Sequence, residues 1–266
     1  MVKTRIILVV ITAAVVALIF FLPKVVVQSE KELTAEGHAE PKDTVAAHAA
    51  VSETDQASIN RLRNQFKTKK NSIFADSLWQ LYTSIGKFDS AAWFAEQSAS
   101  FLKTTDSYLR AGNSYYEAYS FALDQQKQRQ LGEKAREFFG KALEANPKLY
   151  DAKAKMGMTY IGSGAPPMQG IQMLREVVKD DPKNEFALFN LGMLSIQSTQ
   201  YDRAVDWFTK LVDVNPQHLQ GQVLLGVALA GAGEKDKARA QFEKARKMTT
   251  DQSVLAGIDS YLKDLK

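Results

Sequence analysis

The sequence predicts an all-α fold: an array of helical hairpins preceded by one N-terminal transmembrane helix. Three observations carry this. An uncharged apolar run lies near the start, a set of residues recurs at an offset of 34, and apolar positions repeat at helical spacing through the body. The bulk composition is that of a globular chain, with 266 residues, 45% hydrophobic and 24% charged. Cysteine is absent, which excludes disulfide frameworks, thiolate metal sites and cysteine nucleophiles.

The first element is the run from Ile6 to Leu22, in which 13 of 17 residues are Val, Ile, Leu or Phe. As a helix it spans about 26 Å, the short end of what crosses a bilayer, and its insertion is worth about 4–8 kcal/mol. The segment after it, Leu22-Pro23-Lys24-Val25-Val26-Val27, is a poor match to a cleavage site, so an anchor is expected over a cleaved signal. Lys3 and Arg5 precede the run and net acidic sequence follows it. The N-terminus is then cytoplasmic and the body lies on the trans side, which is the periplasm if the host is a bacterium.

Residues 28–55 are rich in Glu, Ala, Thr and Ser with almost no large apolar side chain, and read as a flexible tether. A lead-in helix is expected at 56–71, with Ile59, Leu62 and Phe66 on one face. Arg61, Arg63, Lys67, Lys69 and Lys70 stand in residues 61–70 without an acid. Such a segment could touch anionic lipid or nucleic acid, but with Phe66 as its one aromatic a plain charged helix end is expected. Beyond residue 70 bases and acids nearly balance, so no nucleic-acid partner is expected.

The body repeats. Gly192 and Gly226, Ala204 and Ala238, Phe208 and Phe242, and Pro182 and Pro216 are each 34 residues apart. Each unit has two helical apolar stripes with a turn between them. Asn146-Pro147 and Asn215-Pro216 stop the second helices, because proline disfavours helix in the residue before it. A small residue where helices cross lets their axes approach, and the aromatic fills the adjacent gap.

This pattern is similar to the tetratricopeptide repeat (TPR) superfamily. The matching marks are Ala111-Gly112, Met156-Gly157, Leu191-Gly192 and Leu225-Gly226 on the first helices, and Ala135, Ala204 and Ala238 on the second. Phe139, Phe208 and Phe242 complete them, followed by Pro147, Pro182 and Pro216. One unit departs, carrying Gly170 and Leu174 in place of alanine and aromatic. The expected organisation is an anchor at 1–27, then the tether and lead-in helix. A degenerate hairpin at 72–104 follows, then a lengthened unit at 105–149, units at 150–184, 185–218 and 219–250, and a capping helix at 251–266.

The resemblance implies a right-handed α-solenoid whose first helices line a concave groove for a peptide segment or partner helix. Counted off those helices, the groove residues are Tyr116, Met158, Ile161, Phe186, Phe189, Met193, Ile196, Val223 and Val227, with Asp106, Leu109 and Asn113 towards the N-terminus. The row is expected to be apolar and open, with Asn190 its one suggestive polar residue, so a clamp for a terminal carboxylate is not expected. An open apolar row needs a cover. The cover is either a partner protein, making the chain a membrane-anchored scaffold or adaptor in envelope assembly, secretion or maturation, or the chain's own helix or a second copy. The second case would be a self-associating homodimeric envelope protein. No catalytic constellation is present: His218 has no triad partners, and Gly162-Ser163-Gly164 cannot cradle phosphate between two helices. The chain is therefore read as no enzyme, with no cofactor and no metal.

Overall fold

Helix begins at Glu53, where the side chain of Ser52 caps the first turn by accepting from the Asp55 amide. The computed structural model describes residues 51–162 and 166–265. The expected anchor at 6–22 and most of the tether lie outside them. Within them the tether's last residues, 53–55, are already helical. Among the described residues no helix is long and apolar enough to cross a membrane.

The order is α1 (Glu53–Thr68), α2 (Ser72–Ser84), α3 (Phe88–Leu102), α4 (Thr105–Phe121), α5 (Gln125–Ala145), α6 (Tyr150–Gly162), α7 (Pro167–Asp180), α8 (Glu185–Gln197), α9 (Tyr201–Val214), α10 (Leu219–Gly231), α11 (Lys235–Arg246) and α12 (Gln252–Asp264). Every helix packs on the next. The helices end where local chemistry requires it. α5, α7 and α9 stop at Ala145, Asp180 and Val214, one residue before the extended residues Asn146, Asp181 and Asn215, which each precede a proline. Pro167 opens α7 at a position that has no amide donor to lose.

The 23-residue offset between Gly112 and Ala135, against 12 in later units, is taken up by helix. α4 and α5 have 17 and 21 residues, whereas α8 and α9 have 13 and 14. Phe139, Phe208 and Phe242 are fully buried, each against the glycine of its own hairpin. A Cβ on Gly112, Gly192 or Gly226 would stand 2.6, 2.6 or 2.7 Å from the ring. α6 and α7 cross differently. A Cβ on Gly157 would stand 2.9 Å from the Gly170 carbonyl, and one on Gly170 would overlap the Gly157 carbonyl. Two backbones touch there, and Leu174 is buried in place of the ring.

The turns of α2–α3, α8–α9 and α10–α11 share one conformation. Gly86 and Gly233 have φ of 72° and 82°, and Thr199 occupies the equivalent place at φ 57°. At the chain's end α12 packs on α11, with Ile258 buried among Ala238, Phe242 and Ala245, and Tyr261 stacked flat on Phe242 at 5.1 Å.

Candidate functional site

First helices of successive hairpins touch: α4 packs on α6, and α6 on α8. Second helices are not packed comparably on one another. Between α7 and α9 a cleft of about 530 Å³ opens, floored by α8 and lined by Met168, Ile171, Arg175, Arg203, Trp207 and Lys210. The first helices α4, α6 and α8 are therefore packed side by side, while the second helices α7 and α9 are splayed.

The nine residues expected to line an open groove are all half-buried. Tyr116 on α4 meets Phe186 on α8 edge to face at 6.2 Å. Phe189 lies edge-on to Phe208 at 6.1 Å and stacks on His218 at 5.6 Å. Met158, Ile161 and Phe186 pack on the core of α6–α8, while Phe189, Met193, Ile196, Val223 and Val227 pack on that of α8–α12. The apolar row expected to be open is thus half-buried and packed on the cores beneath it. Asn190 is committed to its own helix, donating to the Phe186 carbonyl at 2.7 Å. His218 is a helix cap whose Nδ1 accepts from the Gly221 amide at 3.0 Å.

The open space on this layer lies on either side of α4. One hollow of about 410 Å³ separates α4 from α2 and is lined by Trp79, Thr83, Asp106, Leu109, Arg110 and Glu117 among others. A second, of about 360 Å³, lies between α4, the start of α6 and the residues leading into α8, and includes Asn113, Asp151, Lys155 and Asn184. Leu109 and Asn113 belong to both. None of the nine predicted residues lines either hollow.

The polar groups here are anchored from repeat to repeat. Arg110 pairs with Asp76 at 2.6 Å and lies 4.8 Å over the Trp79 ring, whose N–H donates to Ser114 at 3.0 Å. Lys155 donates to Asn113 at 2.7 Å, and Asn184 to Asp151 at 2.8 Å. Burial raises the Glu117 carboxyl above the usual range while Lys155 pulls it back, and burial pushes the Tyr116 hydroxyl up to about 12. Such a surface can pair with peptide backbone and with either charge, and is held in place by its own hydrogen bonds.

Arg110 and Lys155 were missed, although a signal existed. Both stand two residues before the crossing glycine, the position of Asn190 in the next unit. Aligned by that glycine, the row reads Arg110, Lys155, Asn190, Leu224, polar towards the N-terminus and apolar towards the C-terminus. Among the described residues no group of His, Asp or Glu is arranged to hold a metal.

Successive helices packed each on the next, and crossing within their hairpins at small residues, define a protein of stacked helical hairpins. The sequence comparisons name the repeat. The family model described as "Tetratricopeptide repeat" matches residues 187–218, the α8–α9 hairpin and the turn after it. That hairpin is a tetratricopeptide repeat, and the α4–α5 and α10–α11 hairpins are similar to it in their crossing residues. It is 32% identical over 98 residues to anaphase-promoting complex subunit 3 of Dictyostelium discoideum, covering 37% of this chain and 10% of that protein. It is 26% identical over 139 residues to the mitochondrial import receptor subunit TOM70 of Homo sapiens, covering 50% of this chain and 20% of that protein. The chain thus spans a tenth to a fifth of the length of these curated relatives. Its fold resembles that of PilW, a type IV pilus biogenesis factor, with a TM-score of 0.57 at 15% identity over 77% of this chain and 90% of that one.

Proposed function

We propose that this chain is a membrane-anchored, non-enzymatic scaffold that holds a segment of a partner protein against the layer of first helices, over the two hollows flanking α4. The observation that carries the reading is their shared wall. Leu109 and Asn113 face both hollows, so an extended segment crossing α4 would contact a continuous strip from Trp79 to Asn184. The apolar run at 6–22 supports anchoring, with residues 28–52 as tether and the repeats on the trans side. Similarity over half the chain to an import receptor subunit supports work on other proteins at a membrane, and envelope assembly or secretion is the corresponding role here.

The groove residues named from sequence lie outside both hollows. An aspartate at Phe189 or Met193 would be a poor test of this site, because both side chains pack on the α8–α12 core and neither lines a hollow. A photo-crosslinking residue at Asn113 or Lys155, compared with one at Arg175 or Lys210 in the outer cleft, is the better one. In intact membranes the inner positions are expected to give a discrete adduct with another protein and the outer positions none. Adducts only with a second copy of the chain would replace this reading with self-association.

A further inference from the structure

The turn joining α1 to α2 carries chemistry that partner capture does not use. Lys67, Lys69 and Lys70 are all exposed, and Ile73, in the first turn of α2, leaves 69% of its surface in water. The acids of α1, Glu53 and Asp55, sit in its first turn. At 1.5 Å per residue they are about 18 Å from Lys67, beyond the screening length at physiological salt.

The neighbouring helices offer no neutralisation. α2 has one acid, Asp76, and α3 has two, Asp89 and Glu96. Asp76 is paired with Arg110, Asp89 with Lys127, and Glu96 with Tyr115 and Lys134, so each is turned towards α4 or α5. The helix dipole accounts for a base in the last turn of α1, namely Lys67. It does not account for Lys70 or for an exposed isoleucine among lysines. Next to this end, the half-buried Trp93 meets Phe66 edge to face at 6.3 Å.

We propose that this corner is a docking point for an anionic lipid surface: Lys67, Lys69 and Lys70 contact headgroups, and Ile73 enters the acyl boundary. Three exposed lysines within six residues of one exposed aliphatic side chain match a bilayer, which offers negative charge and hydrocarbon within a few ångströms. A nucleic acid would leave the isoleucine without a counterpart and prefers exposed aromatic platforms. Docking here would seat the N-terminal end of the repeat array on the membrane. The inference rests on the anchor reading only in that the anchor brings the corner to the bilayer.

The chain has no cysteine, so Ile73→Cys takes a single environment-sensitive fluorophore, with Leu123→Cys, at an 82% exposed site between α4 and α5, as the control. The full chain is reconstituted with phosphatidylcholine vesicles with and without phosphatidylglycerol. Flotation reads anchoring, and the emission of the label, with quenching by spin-labelled lipid, reads docking. The Ile73 label is expected to shift to the blue and be quenched only with phosphatidylglycerol at low salt, while the Leu123 label stays aqueous. Replacing the three exposed lysines by alanine should lower the docked-to-free ratio about 100-fold, at roughly fivefold per lysine, with the helical circular dichroism unchanged. Equal signals in both lipids, or a shift with duplex DNA and none with phosphatidylglycerol, overturns the proposal. A chain that fails to float while its Ile73 label still responds to phosphatidylglycerol removes the anchor and leaves the docking point. Failure of both removes both.

Discussion

The α6–α7 and α8–α9 hairpins solve one packing problem in two ways. In α8–α9 the first helix offers Gly192, the second offers Ala204, and the Phe208 ring fills the space over the missing Cβ. In α6–α7 the ring is gone, both crossing positions are glycine, and the helices close until backbone meets backbone. Losing the aromatic and losing the alanine methyl belong together: with Leu174 in place of a ring, only a closer approach keeps the interior filled. A repeat family can thus tolerate loss of its signature residue where a second change restores density.

The largest effect on this comparison should come from Phe208→Ala. It empties the space that defines α8–α9 and should cost about 3–5 kcal/mol in urea unfolding followed by circular dichroism. Adding Ala204→Gly should recover part of that loss by letting the helices close as α6 and α7 do; a double variant no more stable than Phe208→Ala would break the comparison. Next comes Gly170→Ala. Its methyl would overlap the Gly157 carbonyl and press on the Ile161 side chain, and because the first of these is backbone we expect a loss of about 3 kcal/mol, at the upper end for overpacking. Gly192→Ala should cost less, about 1–2 kcal/mol, because its obstacle is a ring that can tilt. An equal loss at the two glycines, measured as shifts in urea midpoint, would argue against the distinction between backbone and side-chain contact.

The smallest expected effect is a gain. Thr199 holds the left-handed turn position that Gly86 and Gly233 fill elsewhere, and a β-branched residue is strained there by about 1 kcal/mol. Thr199→Gly should raise stability by about that amount and Gly233→Thr should lower it equally, both read as thermal midpoints. A null result at both positions would remove the strain argument.

Much of the fold could be read from spacing alone. The offset of 34, the prolines after Asn146, Asp181 and Asn215, and the helical stripes depend on contacts within one hairpin, where sequence distance and spatial distance agree. The site was less legible for the same reason inverted. Whether Phe189 or Met193 is open depends on how closely one first helix lies on the next, and no residue type states that distance. Lys155 reads as a solvated lysine until Asn113, 42 residues earlier, is found against it. The cleft beside Trp207 is set by the separation of α7 and α9, which no single residue type states. Asn190, the one suggestive polar residue of the row, folds its amide back onto its own helix, a local option open to any short polar side chain.

The outer cleft has a mechanical consequence. At that joint α6 and α8 are already in contact on one side, while α7 and α9 leave about 530 Å³ unfilled on the other. A joint solid on its inner rim and gapped on its outer rim yields in one direction: it can unbend, drawing the outer helices together, but it cannot curl tighter without crushing side chains. Tension along the array would be taken up there first, with Trp207 swept across the closing gap as the reporter.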